Sequence, residues 1–125
     1  MIVGIGIDIC ENSRIKSILE KFPDRFLKRV FNDNEIGYCS LKSDPVPYYA
    51  ARFALKEAFI KALGLKRDLA ISYKEVYLSG GVGKKKLNLE GKLDELFKER
   101  ANSAHFSISH SQEYSSAVVV LEKNG

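Results

Sequence analysis

A carboxylate and an ammonium group four residues apart form the most chemically suggestive pair in this chain. Glu57 and Lys61 lie in the segment Ala50–Gly64, which is rich in alanine, leucine and lysine. Residues with this spacing project from one face of a helix, one turn apart. Carboxylates and ammonium groups can move protons, hold metal ions or neutralise phosphates. Spacing alone favours an ordinary surface ion pair, whereas the alanine content indicates close packing.

A second carboxylate, Asp8, stands in a segment that alternates with the period of a β-strand. One face of this strand carries Val3, Ile5, Ile7 and Ile9, and the other carries Gly4, Gly6 and Asp8. The two glycines leave room for backbone or ligand to approach the face of Asp8. The flanking isoleucines indicate partial burial, and a buried carboxylate requires a partner. That partner is either a neighbouring turn or a metal ion.

Near the C-terminus, His110 follows an alternating segment that begins at His105. If the strand continues, His110 shares a face with Phe106 and Ile108. A histidine in that position is more often a core residue with satisfied hydrogen bonds than a catalytic group. We assign no role to His105, which points to the opposite face.

The helices and strands that must position these residues are predicted to form an α+β fold, with a mixed or antiparallel sheet packed with helices. The central element is one long helix from Tyr48 to Leu63, ended by Gly64. Two amphipathic helices and a short helical piece precede it. The predicted strands cover residues 2–9, 71–79, 85–89, 105–109 and 116–122, with one further helix near 93–102. We expect a single domain over residues 1–125.

The composition is that of an ordinary globular protein, with 45% hydrophobic and 29% charged residues in 125. No apolar run approaches the ~20 residues that span a bilayer. The opening residues lack the basic region of a signal peptide, so we expect none. Cys10 and Cys39 form no CxxC pair, which predicts reduced thiols in a cytoplasmic protein.

The net charge is +4 and the isoelectric point is about 9.0. Such a balance favours an acidic partner without naming it, because nucleic acid, an anionic membrane, an acidic protein and a polyphosphate would all fit. A mildly basic protein without such a partner is a further alternative.

Three ordered motifs resemble the phosphopantetheinyl transferase superfamily. They are Gly4-Ile-Gly-Ile-Asp8, the Lys56-Glu57-Ala58 helix with Lys61 behind it, and His105-Phe-Ser-Ile-Ser-His-Ser111 followed by Ala117-Val-Val-Val. Phe31-x-x-x-Glu35 also resembles the family segment between the first two. The similarity spans nearly the whole chain, and the length matches the small type that acts on acyl carrier protein.

The resemblance implies an Mg²⁺-dependent enzyme. Members move the 4′-phosphopantetheine arm of coenzyme A to a serine of apo-acyl carrier protein, which gives holo-carrier and 3′,5′-ADP in support of fatty acid biosynthesis. Asp8 and Glu57 match the family's metal ligands, and Lys61 matches the lysine that contacts phosphate. These three residues are therefore our candidate catalytic residues.

The resemblance also implies a coenzyme A site, a docking surface and an assembly. Arg52, Lys61, Gly83 and His110 are the candidate contacts for coenzyme A, with a surface charge as the alternative for Arg52. The carrier's acidic helix is expected to dock on basic residues of the first helices, namely Arg14, Arg25 and Arg29, beside Phe26. Small members are expected to form homotrimers with an active site at each subunit interface.

Some features stay open at the level of sequence. Glu57, Asp8 through a bound water, Glu35 or a bare water could each remove the serine proton. Two loops depart from the family pattern: Leu65-Lys66-Arg67 lacks the usual glycine, and Gly83-Lys84-Lys85 lacks the usual proline. Both loops are expected to border the coenzyme A groove.

Two other functions are compatible with the charge. A non-catalytic basic module could bind RNA, but no interleaving of aromatic and basic residues supports it, and we expect neither a nucleic acid nor a membrane partner. A transferase acting on a broader range of carrier proteins is expected to be about twice this length. The Gly4-x-Gly6 and Gly80–Lys84 segments do not match the dinucleotide-binding or P-loop spacing.

Overall fold

The computed structural model describes residues 1–65 and 71–125. The helices of these ranges are α1 (Asn12–Lys21), α2 (Pro23–Val30), α3 (Asp33–Ser40), α4 (Val46–Leu63) and α5 (Gly91–Arg100). The strands are β1 (Ile2–Glu11), β2 (Val76–Ser79), β3 (Lys86–Leu89), β4 (Ser103–His110) and β5 (Tyr114–Glu122). A 3₁₀ turn, Tyr73–Glu75, leads into β2. In the first of the two loops that differ from the family pattern, Lys66 and Arg67 lie outside the described ranges.

The strands form two antiparallel sheets, which confirms the predicted α+β fold. The larger sheet has the order β1-β5-β4, and β2 pairs with β3 in the smaller one. In the larger sheet Asp8 lies opposite Ala117, which in turn lies opposite Ile108. Paired residues of antiparallel strands project to the same side of a sheet. Asp8 of β1 and Ile108 of β4 therefore lie on the same side of the larger sheet.

The long helix α4 packs across one face of the larger sheet and forms the centre of the core. Its alanines Ala50, Ala51, Ala54 and Ala58 are fully buried. As the sequence predicted, the helix ends at Gly64, which adopts a left-handed conformation with φ of 67°. The helix begins two residues before the predicted Tyr48, because Pro47 suits the first turn of a helix.

The glycine face of β1 is the face that meets α4. A Cβ atom on Gly6 would collide with the backbone carbonyl of Ala58, and one on Gly4 with that of Ala62. The strand and the helix can approach this closely only because both glycines lack a side chain. This close approach brings Asp8, the next residue on the same face, to the side of α4.

The structure corrects the expectation for the isoleucines of β1. Val3, Ile5, Ile7 and Ile9 are 42–67% exposed, because they project from the sheet face that α4 does not cover. Asp8 is partly buried, as predicted, but the packing of the glycine face causes this burial.

The predicted strand over residues 71–79 is shorter than expected. Ser72 and Glu75 form a capping box around the 3₁₀ turn, so the strand starts only at Val76. Within residues 1–65 and 71–125, none of the helices combines the length and apolar character needed to cross a membrane.

Candidate active site

Asp8 and Lys61 meet where β1 crosses the last turns of α4. The Nζ atom of Lys61 donates to Oδ1 of Asp8 at 2.8 Å and to the carbonyl of Ile7 at 3.1 Å. The side chain of Asp8 is 17% exposed and that of Lys61 is 55% exposed. The two groups therefore form an ion pair with access to solvent, at the edge of the sheet. This ion pair also shows that Lys61 has a partner from a distant part of the chain.

Glu57 precedes Lys61 by one helical turn on the same side of α4. Its Oε1 atom accepts a hydrogen bond of 2.8 Å from the hydroxyl of Tyr73. The pKa of Tyr73 is raised to about 12, first by burial, then by its hydrogen bond to Glu57 and by the negative charges of Glu57 and Asp8. Lys61, which contacts Asp8 and lies one helical turn from Glu57, therefore connects the two carboxylates.

The three residues named as catalytic from the sequence are therefore neighbours in one chain. Tyr73 belongs to the same group, although no pattern in the sequence indicates it. A shallow depression of about 330 Å³ lies beside them, lined by Ile7, Asp8, Ile9, Lys61 and Ser116. Asp8 and Glu57 are oxygen donors that could hold a cation, and Lys61 is a cation that could contact phosphate.

A second cluster lies near the start of α4. The rings of His110 and Tyr48 are 4.9 Å apart, and the Nζ atom of Lys42 lies 4.4 Å from the ring centre of Tyr38 and 5.1 Å from that of Tyr48. Tyr48 precedes Glu57 by nine residues, which is a rise of about 13 Å along a helix. Within one chain, His110 therefore lies away from the carboxylates of Asp8 and Glu57, although His110 and Asp8 are both on the sheet face that meets α4.

The expectation that Arg52 contacts coenzyme A or forms a surface charge needs correction. Its side chain is only 1% exposed, and its guanidinium lies 4.6 Å from the ring centre of Tyr38. The Nη1 atom donates to the carbonyl of Tyr48 at 3.4 Å. Arg52 is neither a surface charge nor open to a phosphate in this structure, because the aromatic cluster covers it.

Glu35, one of the open candidates for the general base, is also buried. It is completely inaccessible and pairs with Lys56, with 2.7 Å between Oε1 and Nζ. A base must reach the proton that it removes, so the structure excludes Glu35 from that role. The remaining candidates for the general base are Glu57, Asp8 through a bound water, and a bare water.

Gly83 lies in the turn between β2 and β3 with φ of 74°, a left-handed conformation that favours glycine. A Cβ atom there would meet open space, so the residue is accessible. Its contact with coenzyme A stays a prediction.

Arg14, Arg25 and Arg29 are all exposed on α1 and α2. Phe26 differs from the expectation, because its ring packs inward, 5.6 Å from that of Phe31 and 6.0 Å from that of Phe53. The exposed aromatic ring of this surface is Phe22, which lies 6.0 Å below the guanidinium of Arg25. The sequence placed Phe26 beside the basic residues, and only the structure shows that the exposed ring there is that of Phe22.

This geometry defines a small α+β protein whose longest helix and edge strand present two carboxylates and an ammonium group to an open surface, an arrangement suited to phosphate chemistry. Comparison with known proteins gives the family. Residues 4–119 match the model of the 4′-phosphopantetheinyl transferase superfamily. The chain therefore belongs to that superfamily.

Individual proteins agree with this assignment. A holo-[acyl-carrier-protein] synthase of Leptospira biflexa is 48% identical over 123 residues, which cover 97% of both chains. The crystal structure of the holo-[acyl-carrier-protein] synthase of Neisseria meningitidis has a TM-score of 0.87 and 33% identity, with 98% of this chain and 100% of that one covered. The synthase of Bacillus anthracis, solved in complex with CoA (3′,5′-ADP), has a TM-score of 0.77 and 37% identity, with 99% of each chain covered.

Proposed function

We propose that this chain is a holo-[acyl-carrier-protein] synthase. It transfers the 4′-phosphopantetheine arm of coenzyme A to a serine of apo-acyl carrier protein, releases 3′,5′-ADP and supports fatty acid biosynthesis. The contact between Asp8 and Lys61, one turn from Glu57, carries this proposal from the structure. The near-complete coverage of synthases at up to 48% identity supports the acyl carrier protein as the substrate.

The reaction requires little covalent help from the protein. The serine oxygen attacks the phosphorus that carries the pantetheine arm, and the bond from this phosphorus to the oxygen that bridges it to ADP breaks. The proton of the serine leaves to a base, and 3′,5′-ADP departs with the bonding electrons. Catalysis of such a transfer depends on placement and on neutralisation of the growing negative charge. Lys61 can neutralise charge on the departing phosphate.

We also propose that the enzyme depends on Mg²⁺ held by Asp8 and Glu57. Mg²⁺ takes oxygen ligands and is commonly bound by one or two carboxylates together with waters and substrate phosphates. The described residues contain no group of three or more His, Cys, Asp or Glu side chains that could enclose a metal ion. Two carboxylates at an open surface fit an ion that shares its remaining positions with a pyrophosphate. When bound, the ion would neutralise the pyrophosphate of coenzyme A.

The direct test follows the mass of the carrier. Incubation of the chain with apo-acyl carrier protein, coenzyme A and Mg²⁺ should increase the carrier mass by one phosphopantetheine arm, because the serine becomes modified. EDTA should abolish the increase, and mass spectrometry of the intact carrier measures both results. Tight, salt-sensitive retention of RNA without any mass increase would instead favour the basic binding module.

We propose a homotrimer in which the site lies at a subunit interface. The sheet face left uncovered by α4 carries exposed isoleucines on β1 beside Val118 and Val120 of β5. A contiguous exposed apolar surface of this kind commonly marks a protein interface. Ile7 and Ile9 belong to this face and also line the depression at Asp8. A neighbouring subunit on this face would therefore border the carboxylate site and could add residues such as His110 to it.

The trimer makes a specific prediction for Ile5. Native chains should run at three times the 14.1 kDa of one chain in sedimentation equilibrium. The substitution Ile5→Glu should shift the mass to that of one chain, because a carboxylate would be buried without a partner. Leu41→Glu is the matched control, since Leu41 is 88% exposed and lies outside this sheet face. A monomeric native chain would contradict the proposal.

The carrier is proposed to dock on the exposed Arg14, Arg25 and Arg29, beside Phe22. Opposite charges accelerate encounter, and salt screens them. Reversal of Arg14 and Arg25 to Glu should raise the KM for the carrier roughly tenfold at low salt and leave that for coenzyme A nearly unchanged. The matched control reverses Lys92 and Lys98, two exposed lysines of α5. Equal effects on both substrates, measured by steady-state kinetics, would remove the docking proposal.

We further propose that the chain acts as a single domain in the cytoplasm. Cys10 and Cys39 are both free and buried in the core, which is typical of a protein in a reducing compartment.

A further inference from the structure

A hydrogen bond from the hydroxyl of Tyr73 to Oε1 of Glu57 attaches this residue to the site. A carboxylate is an acceptor only, so the tyrosine is the donor. The ring lies 5.7 Å from the ring of Phe53, one turn before Glu57 on the same side of α4. A phenylalanine could make the same packing contact. The hydroxyl is therefore the part of the side chain whose role packing does not explain.

The backbone of Tyr73 is fixed from two directions. The capping box around it joins the amide of Ser72 to Oε2 of Glu75 at 2.7 Å and the amide of Lys74 to Oγ of Ser72 at 3.2 Å. On the core side, Nζ of the buried Lys56 donates to the carbonyl of Tyr73 at 3.0 Å. A hydroxyl carried by such a constrained turn has a defined position relative to α4.

Glu57, in contrast, is a long side chain on a helix, and its carboxylate can rotate about several bonds. A fixed donor at Oε1 restricts this rotation and leaves Oε2 as the oxygen available to a cation. Partners of this kind orient metal ligands in many proteins, and their loss typically weakens metal binding 10- to 100-fold.

We propose that Tyr73 is a positioning residue for Glu57, whose hydroxyl holds one carboxylate oxygen and so presents the other to a divalent cation. The inference deepens the proposed function and rests on it. It assigns a role to a residue of the 3₁₀ turn before β2, outside the motifs that resemble the family.

The test removes the hydroxyl and keeps the ring. Mn²⁺ is titrated into the purified chain in the presence of coenzyme A and without carrier protein, and free Mn²⁺ is followed by electron paramagnetic resonance, with a titration of coenzyme A alone subtracted. Tyr73→Phe should raise the dissociation constant of Mn²⁺ roughly tenfold. In turnover, the concentration of Mg²⁺ that gives half-maximal rate should rise by a similar factor, and kcat at saturating Mg²⁺ should change much less.

Tyr77→Phe is the matched control. The hydroxyl of Tyr77 also donates to a carboxylate, Oε1 of Glu90 at 3.2 Å, but at the surface of the smaller sheet. Its Mn²⁺ affinity should stay within about twofold of the native chain. If Tyr73→Phe binds Mn²⁺ as tightly as the native chain, or only lowers the melting temperature, the positioning role is overturned and the proposed function stands. If the native chain itself takes up no Mn²⁺, the cation site falls and the inference falls with it.

Discussion

Conversion of either site carboxylate to its amide, as Asp8→Asn or Glu57→Gln, lowers the rate of phosphopantetheine transfer on the order of 100-fold or more. Each substitution removes one negative charge and keeps the shape of the side chain. The affinity for Mg²⁺ falls because an amide is a much weaker ligand for a hard cation than a carboxylate. Initial rates from carrier mass, together with Mn²⁺ binding, measure both effects.

The fold should survive these substitutions. The pair of Asp8 and Lys61 is partly exposed, and an ion pair open to solvent contributes at most about 1 kcal/mol. In Asp8→Asn, Lys61 also retains the carbonyl of Ile7 as an acceptor. Far-ultraviolet circular dichroism and melting temperature should therefore stay close to those of the native chain. The same charge removal in Glu95→Gln, at an exposed position of α5, is the control for unspecific loss of charge.

Near-normal turnover in both Asp8→Asn and Glu57→Gln would count heavily against the site. Loss in one variant alone would indicate that the two carboxylates do not share a cation. If either variant loses the helical circular dichroism signal, the carboxylate that it lacks is needed for folding.

The position of Asp8 beside α4 could be predicted from the sequence only in part. Alternation in β1 placed Asp8 on the glycine face, and helical spacing placed Glu57 and Lys61 together. Which face of β1 would pack on the helix was not predictable from periodicity, because an apolar face is equally suited to a core and to a subunit interface. That Asp8 and Glu57 belong to one site was implied by family resemblance alone, and the ion pair of Asp8 with Lys61 was not predicted.

The burial of Arg52 and Glu35 and the role of Tyr73 could not be read from the sequence. Charged residues are rarely buried completely unless they are paired, and the aromatic ring that covers Arg52 and the lysine that pairs with Glu35 both lie on other helices. Glu35 meets Lys56 only after α3 packs on α4. Tyr73 reaches Glu57 because a capping box, and not a longer strand, precedes β2. Such contacts depend on tertiary packing, which local spacing does not encode.

Lys56→Met should destabilise the chain by about 3–5 kcal/mol, because it leaves the carboxylate of Glu35 buried without its partner. Both side chains of this pair are completely inaccessible. Burial raises the pKa of Glu35 and lowers that of Lys56, and their mutual attraction offsets these changes only in part. Urea unfolding followed by circular dichroism, at one fixed chain concentration, measures the change in free energy.

Lys98→Met supplies the matched control for this prediction. Lys98 pairs with Asp94 at 3.0 Å, but its side chain is 72% exposed, so its loss should cost less than about 1 kcal/mol. Equal costs for the two lysines would refute the claim that the buried pair stabilises the fold.

A double variant separates the ion pair from the other bonds of Lys56. Replacement of both charges, as Glu35→Leu with Lys56→Met, removes the uncompensated charge and should cost less than the sum of the single variants. It should still be destabilising, because Nζ of Lys56 also donates to the carbonyls of Tyr73 and Val76, at 3.0 Å and 2.6 Å. Unsatisfied buried carbonyls cost about 1–3 kcal/mol each. Since one of these carbonyls belongs to Tyr73, the double variant should also weaken Mn²⁺ binding, which connects the buried pair to the carboxylate site.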